Sequence, residues 1–183
     1  GSPVQMTNCH PFNHREWLFV HNGLVNEYDR VHRDLAFAVA PELFPFIRGT
    51  TDSELMFLLA LTFGLDADVF TGVARMAGLV EYIAAQHNIE EALQMTLGIS
   101  NGESLYAARY STVGKSRSLY YSASHNAAME IAPGVGKFSS DARAIVSEPL
   151  SSLASEWVPV PEASFLTITR GEISCKPFAP IPP

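Results

Sequence analysis

The hydrophobic pattern of this chain changes from helical to strand period near residue 90, and that change constrains the fold more than any other feature. Residues 51–88 carry apolar side chains at helical spacing, whereas residues 92–175 show short apolar runs separated by turn signals. A short apolar and aromatic strand, residues 16–20, precedes both regions. The order is therefore strand, helices and then several strands, mostly linked as hairpins. This segregation predicts an α+β fold rather than alternating strands and helices.

Local signals place two helices in the first region. Thr51 is suited to be an N-cap, and Glu54 three residues later fits a capping box. The first helix is therefore predicted to begin here and to end at Gly64. Asp66 and Asp68 open a second helix, which is predicted to end near residues 87–88.

Turn signals place the strands. Residues 22–23 are an Asn-Gly pair after an apolar run, which predicts a turn that ends the first strand. Residues 101–102 are a second Asn-Gly pair, and they predict a hairpin between strands at 92–99 and 104–110. A last hairpin is predicted around residues 170–171.

Length and composition indicate one folded domain. The chain has 183 residues, of which 47% are hydrophobic, enough to build a core. We expect residues 1–176 to belong to a single domain. Residues 177–183 are predicted to be a proline-rich tail, because proline continues neither a helix nor a central strand.

Charge and cysteine content exclude several classes of partner and compartment. A net charge of −7 argues against nucleic acid and anionic membrane surfaces, which need clustered positive charge. No run approaches the roughly 18 apolar residues of a membrane span. Two cysteines are too few for a disulfide scaffold, so we expect a reduced, cytoplasmic protein.

Three short motifs hold residues that catalytic sites use, and each also has a structural explanation. Residues 8–12 (NCHPF) can form a rigid polar turn, residues 21–23 (HNG) the end of a strand, and residues 49–54 (GTTDSE) a helix cap. Taken singly, each structural explanation is favoured. The cysteine and the histidines of this region match no zinc-ligand spacing, so no metal site is predicted.

Taken together, the motifs resemble the glutaminase domain of class II glutamine amidotransferases, in its compact stand-alone form. The order N-x-H-P-F, W-x-x-x-H-N-G and T-D-S-E is matched by residues 8–12, 17–23 and 51–54. Residues 97–103 and 144–150 also resemble the family. This joint match is more specific than any one motif.

The resemblance implies a fold, a reaction and a site. The fold is the four-layer αββα sandwich of N-terminal-nucleophile hydrolases. The reaction is hydrolysis of the γ-glutamyl amide of glutamine, or of a related γ-glutamyl compound, by a cysteine nucleophile without a cofactor. The implied site residues are Asn22 and Gly23 for the oxyanion hole, Asp52 and His21 for the substrate, and His10 and Asn8 as supports behind them.

The first residue departs from the family. The family's nucleophile is the N-terminal cysteine of the mature protein, but this sequence begins with Gly1, and Cys9 does not match the nucleophile. We therefore expect the chain to be the C-terminal part of a longer enzyme. The nucleophile and the first strands would then come from an N-terminal segment of the same protein, and the chain alone would be inactive.

Three points stay open at this stage. A non-catalytic binding or scaffold module that lacks the nucleophile explains the sequence as an alternative. Within the enzyme interpretation, the substrate can be glutamine or a γ-glutamyl thiol compound. A homo-oligomer is compatible with the sequence but is not indicated by it.

Overall fold

The fold is described from a computed structural model over residues 3–127, 139–149 and 156–183. These residues contain three α-helices and nine β-strands in two antiparallel sheets, so the α+β prediction is confirmed. The helices are α1 (Tyr28–Phe37), α2 (Asp52–Thr62) and α3 (Val69–Gln86). The first strands are β1 (Phe12–His14), β2 (Trp17–Val25), β3 (Leu93–Ser100) and β4 (Ser104–Ser111). They are followed by β5 (Tyr120–Ser122), β6 (Ile145–Val146), β7 (Trp157–Pro159), β8 (Ser164–Thr169) and β9 (Glu172–Pro177).

The larger sheet is covered by helices on one face and in part by the small sheet on the other. Its strand order is β1-β2-β3-β4-β8-β9, and the smaller sheet has the order β6-β5-β7. Alternate residues of the large sheet pack on the helices, where Phe19 stacks on Phe57 of α2 at 5.3 Å between ring centroids. The opposite face forms a second core with the small sheet, made of Ala107, Leu119, Val160, Leu166 and Ile168. The described residues thus show three layers, helix, sheet and sheet, of the four that the resemblance implies.

The start of α2 is built by its own sequence. The Thr51 hydroxyl accepts a hydrogen bond from the Glu54 backbone N–H at 3.2 Å, which confirms the predicted N-cap. The Glu54 carboxylate does not return to the cap residue. It accepts instead from the backbone N–H groups of Arg48 and Gly49, at 3.0 and 2.8 Å. The buried carboxylate therefore fixes the turn before the helix. Of the two aspartates predicted to open the second helix, Asp68 caps α3.

The predicted turn at residues 22–23 is wrong, because β2 runs without interruption through both residues. Antiparallel pairing with β3 holds Asn22 opposite Thr96 and Gly23 opposite Met95. An Asn-Gly pair favours a turn only where its backbone does not form hydrogen bonds with a neighbouring strand. The second Asn-Gly pair does turn, and Gly102 has the positive φ of 86° that such a turn needs.

Pro177 ends β9, and residues 178–183 have no regular structure but are anchored to the body of the fold. Phe178 is buried, and its backbone N–H donates to the Ala163 carbonyl oxygen at 2.8 Å. The Ile181 N–H donates to the Ala74 carbonyl oxygen of α3 at 2.9 Å. Gly78 of α3 has no side chain, and this lets the tail backbone lie directly on the helix.

None of the described helices is both long enough and apolar enough to cross a lipid bilayer.

Candidate active site

A cavity of about 500 Å³ lies between the large sheet and the small sheet. Most of its wall is apolar and comes from β2, β3, β4 and β6. Polar side chains enter it at one end, where Asn22 of β2 faces Ser147, the residue after β6. His21, Thr96 and His10 also line this cavity. An apolar cleft with a few convergent polar groups is the usual form of a small-molecule site.

Asn22 is held with its amide donor facing the cavity. Because residues alternate along a strand, Asn22 points to the sheet–sheet side while its neighbours point to the helices. Its Nδ2 donates to the Ser147 hydroxyl at 3.1 Å, and the Thr96 hydroxyl donates to its backbone oxygen at 2.5 Å. An amide nitrogen carries two N–H groups. Among the described residues only one of them has a partner, so a donor remains for a ligand.

Gly23 stands where no side chain fits. A Cβ atom at this position would lie 2.6 Å from Nε2 of His21 and 2.9 Å from the carbonyl carbon of Gln94, and still closer to the Gln94 oxygen. Glycine therefore allows β2 and β3 to approach beside the asparagine.

His21 is buried on the helix side of β2 and joins the strand to α2. Its Nδ1 lies 2.9 Å from the Ser53 hydroxyl, and its Nε2 lies 3.4 Å from the Gln94 carbonyl oxygen. Burial lowers the pKa of His21 below its ordinary value, although the nearby Asp52 carboxylate opposes the shift. The ring is therefore neutral near pH 7.

Asp52 sits in the first turn of α2 and ties the helix to the end of β2. One carboxylate oxygen accepts from the Val25 backbone N–H at 2.8 Å, and the other accepts from the Ser53 N–H at 2.7 Å. The Ser53 hydroxyl lies 3.2 Å from the second oxygen. Asp52 does not line the cavity; it is connected to the cavity residue His21 through Ser53. Two carboxylate oxygens offer about four acceptor positions, so capacity remains for a further donor.

The two supporting residues lie in different places. His10 lines the cavity and meets Phe12 edge to face, with ring centroids 4.9 Å apart. Partial burial lowers the pKa of His10, and the Asp52 carboxylate opposes this. Asn8 lies outside the cavity and fixes the segment before α2. Its oxygen accepts from the Thr50 N–H at 2.9 Å, and its amide nitrogen donates to the Pro3 carbonyl oxygen at 2.9 Å.

Neither cysteine lines the cavity. Cys9 is exposed in a separate cleft on the far side of residues 10–11, and its thiol lies 3.4 Å from the Gln5 carbonyl oxygen. Cys175 is exposed on the edge strand β9. Within the described ranges, no three His, Cys, Asp or Glu side chains are grouped closely enough to hold a metal ion.

The structure thus brings together four of the predicted residues around the end of β2: His21, Asn22, Gly23 and Asp52. His10 lies on the cavity wall, and Asn8 lies against the segment before α2. Sequence reasoning missed three residues of this arrangement. Ser53 lies within the T-D-S-E motif and could have been noticed there. Ser147 lies in the 144–150 stretch that resembles the family, although only the contact between the two sheets brings it to Asn22. Thr96 carries no local signal, because strand pairing brings it to Asn22.

Comparison with known proteins agrees with the motifs. A family model for class II glutamine amidotransferases matches residues 1–181. The chain belongs to the class II glutamine amidotransferase family. It is 30% identical to the protein "Probable glutamine amidotransferase DUG3" of Saccharomyces cerevisiae, over 94% of this chain and 55% of the yeast protein. The chain therefore spans about half the length of this curated relative.

Solved structures show the same fold. A glutamine aminotransferase class-II domain protein from Silicibacter pomeroyi is 33% identical, with a TM-score of 0.84 over 97% of this chain and 74% of that one. The glutamine phosphoribosylpyrophosphate amidotransferase of B. subtilis is 12% identical, with a TM-score of 0.65 over 97% of this chain and 33% of that one. The second likeness concerns the fold alone. The family and fold class expected from the motifs are confirmed.

Proposed function

We propose that this class II glutamine amidotransferase chain carries the oxyanion hole and part of the substrate site of an enzyme that hydrolyses a γ-glutamyl amide. The substrate is glutamine or a related γ-glutamyl compound. One observation carries the proposal: Asn22 and Gly23 lie in an uninterrupted strand, with the Asn22 amide at the polar end of a cavity. A residue pair that served only to turn the chain would not be placed there.

The chemistry requires fixed donors. A cysteine thiolate attacks the γ-carbonyl carbon, forming a C–S bond, and the carbonyl oxygen becomes an oxyanion. Donors held in place before the reaction stabilise this charge. The Asn22 amide and the Gly23 backbone N–H are suited to this, since both are neutral and both are held by strand pairing. The C–N bond then breaks, the amine leaves with a proton, and water hydrolyses the thioester to release the γ-carboxylate.

We further propose that the nucleophile is supplied by a cysteine outside these 183 residues, on a segment of the same protein. The positions of Cys9 and Cys175 away from the cavity support this. The open apolar wall of the cavity supports it too, because Leu18 and Val20 of β2 are each 45% exposed. Such an apolar stripe, on the strand next to the edge of the described sheet, is suited to be covered by another segment.

In this proposal Asp52 pairs with the α-ammonium group of the γ-glutamyl unit. Its carboxylate is oriented by two backbone N–H groups at a helix start.

Both cysteines are free and exposed, which favours a reducing compartment such as the cytoplasm.

The absence of a cysteine from the cavity also favours a second candidate, a non-catalytic module of the same family. The N-terminal sequence or intact mass of the native protein separates the two. A mature chain that begins with cysteine supports the enzyme, and one that begins at Gly1 supports the module.

Replacing the oxyanion donor tests the proposal. In the full-length protein, Asn22→Ala is expected to lower kcat by about 10²–10³ with little change in KM, because the donor acts mainly in the transition state. Glutamate release is measured beside a thermal melt of the same preparation. Asn13→Ala is the matched control, since this exposed asparagine lies on edge strand β1 away from the cavity. An unchanged kcat in Asn22→Ala would remove Asn22 from the site.

A further inference from the structure

A buried hydroxyl connects two residues of the candidate site that lie on different elements. Ser53 of α2 has only 5% of its surface exposed. Its hydroxyl lies 2.9 Å from Nδ1 of His21 on β2 and 3.2 Å from a carboxylate oxygen of Asp52. Moving either partner away would leave a polar group unsatisfied in the interior of the protein, which is costly. The hydroxyl therefore fixes the histidine ring and the carboxylate relative to each other.

The Ser53 hydroxyl is not needed to begin the helix. Thr51 provides the N-cap of α2, and the Ser53 backbone N–H already donates to Asp52. A serine near a helix start usually hydrogen-bonds to the backbone of its own helix or turn. Here the hydroxyl instead contacts two side chains, one of them 32 positions away in the sequence. The contact therefore serves the junction between α2 and β2 rather than the helix itself.

The backbone of β2 directs the Gly23 N–H to a free edge. In an antiparallel pair, successive residues direct their N–H groups to opposite sides of the strand. The N–H of Asn26, the residue after β2, donates to the Ala92 carbonyl oxygen at 2.9 Å. Even-numbered residues of β2 therefore bond to β3, and odd-numbered residues point away from it, as the Val25 N–H does. Among the described residues, β1 pairs with β2 only at residues 17–19, so it leaves the edge at Gly23 open.

Asp52 and the proposed oxyanion donor lie along this same edge. The Asp52 carboxylate accepts from the Val25 N–H at 2.8 Å, and Gly23 precedes Val25 by two residues. Two residues of a strand span about 6.6 Å, a separation that an extended γ-glutamyl unit can bridge. The group that we assign to the substrate ammonium and the donor that we assign to its carbonyl oxygen are thus held by one stretch of backbone.

The His21 ring joins the Ser53 hydroxyl to the Gly23 backbone. Residues 21 and 23 share one face of β2, and the ring occupies the space that a side chain at Gly23 would take. A Cβ atom there would lie 2.6 Å from Nε2 of His21. The same nitrogen lies 3.4 Å from the Gln94 carbonyl oxygen of β3. The ring is therefore held between α2 and β3, and it supports the Gly23 backbone from the helix side.

We propose that Ser53 is a positioning residue for the oxyanion hole: its hydroxyl holds the His21 ring against the Gly23 backbone and ties that ring to Asp52. The inference rests on the proposed γ-glutamyl hydrolysis, which assigns the substrate ammonium to Asp52 and the oxyanion to Gly23. When the ammonium group binds, it fixes the carboxylate and, through Ser53, the support of the oxyanion donor. Ser53 touches no reacting atom in this arrangement, so its loss acts through His21.

Steady-state kinetics of Ser53→Ala in the full-length protein test the proposal. The variant removes a buried partner of His21, and kcat for glutamine is expected to fall about 10- to 100-fold. KM is expected to change little, because Asp52 keeps both of its backbone N–H partners. Ser104→Ala is the matched control, since Ser104 is also buried and its hydroxyl lies 2.7 Å from that of Thr169, outside the cavity lining. It should lower Tm without lowering kcat.

A double variant shows whether Ser53 acts through His21. Leucine at position 21 has a similar volume but forms no hydrogen bond. If the proposal holds, Ser53→Ala combined with His21→Leu has the kcat of His21→Leu alone, because the hydroxyl no longer has a ring to hold. If the two losses multiply instead, Ser53 acts independently of His21 and the proposal is wrong. An unchanged kcat in Ser53→Ala, whatever its Tm, gives the hydroxyl a structural role only and also overturns it.

Ligand binding without turnover separates failure of this inference from failure of the proposed function. The ring ¹⁵N resonances of His21 are recorded by NMR in full-length wild type and Ser53→Ala, with and without saturating L-glutamate, which carries the α-ammonium group. The resonances are expected to shift in wild type and to stay in place in Ser53→Ala. An equal response in the two proteins overturns the inference, while release of glutamate from glutamine by wild type leaves the proposed function standing. A wild type that neither binds L-glutamate nor releases it from glutamine refutes both.

Discussion

Gly23→Ala is the change that the structure predicts in most detail. The new methyl group would lie 2.6 Å from Nε2 of His21 and 2.9 Å from the carbonyl carbon of Gln94. Gln94 belongs to β3, so its backbone can retreat only if two paired strands separate. Overpacking of this kind costs about 1–3 kcal/mol and sometimes more. At roughly 2–4 °C per kcal/mol for a chain of this size, a loss near 3 kcal/mol lowers Tm by about 6–12 °C.

The same displacement moves the backbone N–H that we assign to the oxyanion hole. We therefore expect kcat per folded molecule to fall as well, by up to about 10²–10³ if the donor is lost completely. A thermal melt and glutamate release at a temperature well below the variant's Tm report the two effects separately.

A second strand glycine serves as the control for stability. Gly98 lies on β3, and a Cβ there would lie 3.1 Å from the Cγ2 atom of Val20. Val20, the one described neighbour within 4 Å of that position, is 45% exposed and can shift, so Gly98→Ala is expected to keep a Tm close to that of wild type. If Gly23→Ala has the same Tm as Gly98→Ala and retains the wild-type kcat, the close approach of β2 and β3 matters neither for the fold nor for the site.

Three further predictions concern the Asp52 carboxylate, pH and the isolated chain. Asp52→Asn is expected to raise KM for glutamine and to weaken discrimination against an N-acetylated substrate. It should also lower Tm, because an amide oxygen replaces only one of two oxygens that accept backbone N–H groups; wild-type KM and unchanged selectivity would leave Asp52 with its structural role alone. Burial lowers the pKa of His21 below its ordinary value of 6.5. As the pH falls, the imidazole is therefore protonated at a higher pH in the unfolded state than in the folded state, which favours unfolding. The urea midpoint of the wild type should therefore decline as the pH falls from about 6.5 to the folded-state pKa of His21. The midpoint of His21→Gln should decline less over the same range. An equal decline in the two proteins would show that His21 does not cause the loss of stability. The 183-residue chain alone is expected to release no glutamate above background, since removing a nucleophile costs several orders of magnitude in rate. If the chain does release glutamate and Cys9→Ser abolishes that release, the nucleophile is Cys9 and our assignment to a cysteine outside the chain is wrong.

Sequence by itself determined the features that act over a few residues. The Thr51 cap, the Asp68 cap and the hairpin turn at Gly102 were predictable, because a capping oxygen or a positive φ is set by neighbours at most three positions away. The order of helix-period and strand-period segments likewise predicted the α+β class. The joint order of three motifs indicated the family, although each motif alone also fitted a purely structural role.

Tertiary structure decided how those motifs form one site. Locally, Asn22 and Gly23 favour a turn, and only pairing with β3 keeps them extended and turns the amide toward the cavity. The hydrogen bond to Ser147 spans 125 positions, and the Asp52 bond to Val25 spans 27, so neither has a local signal. Contacts at such separation depend on strand register and on the packing of two sheets, which form only when the whole core is buried together.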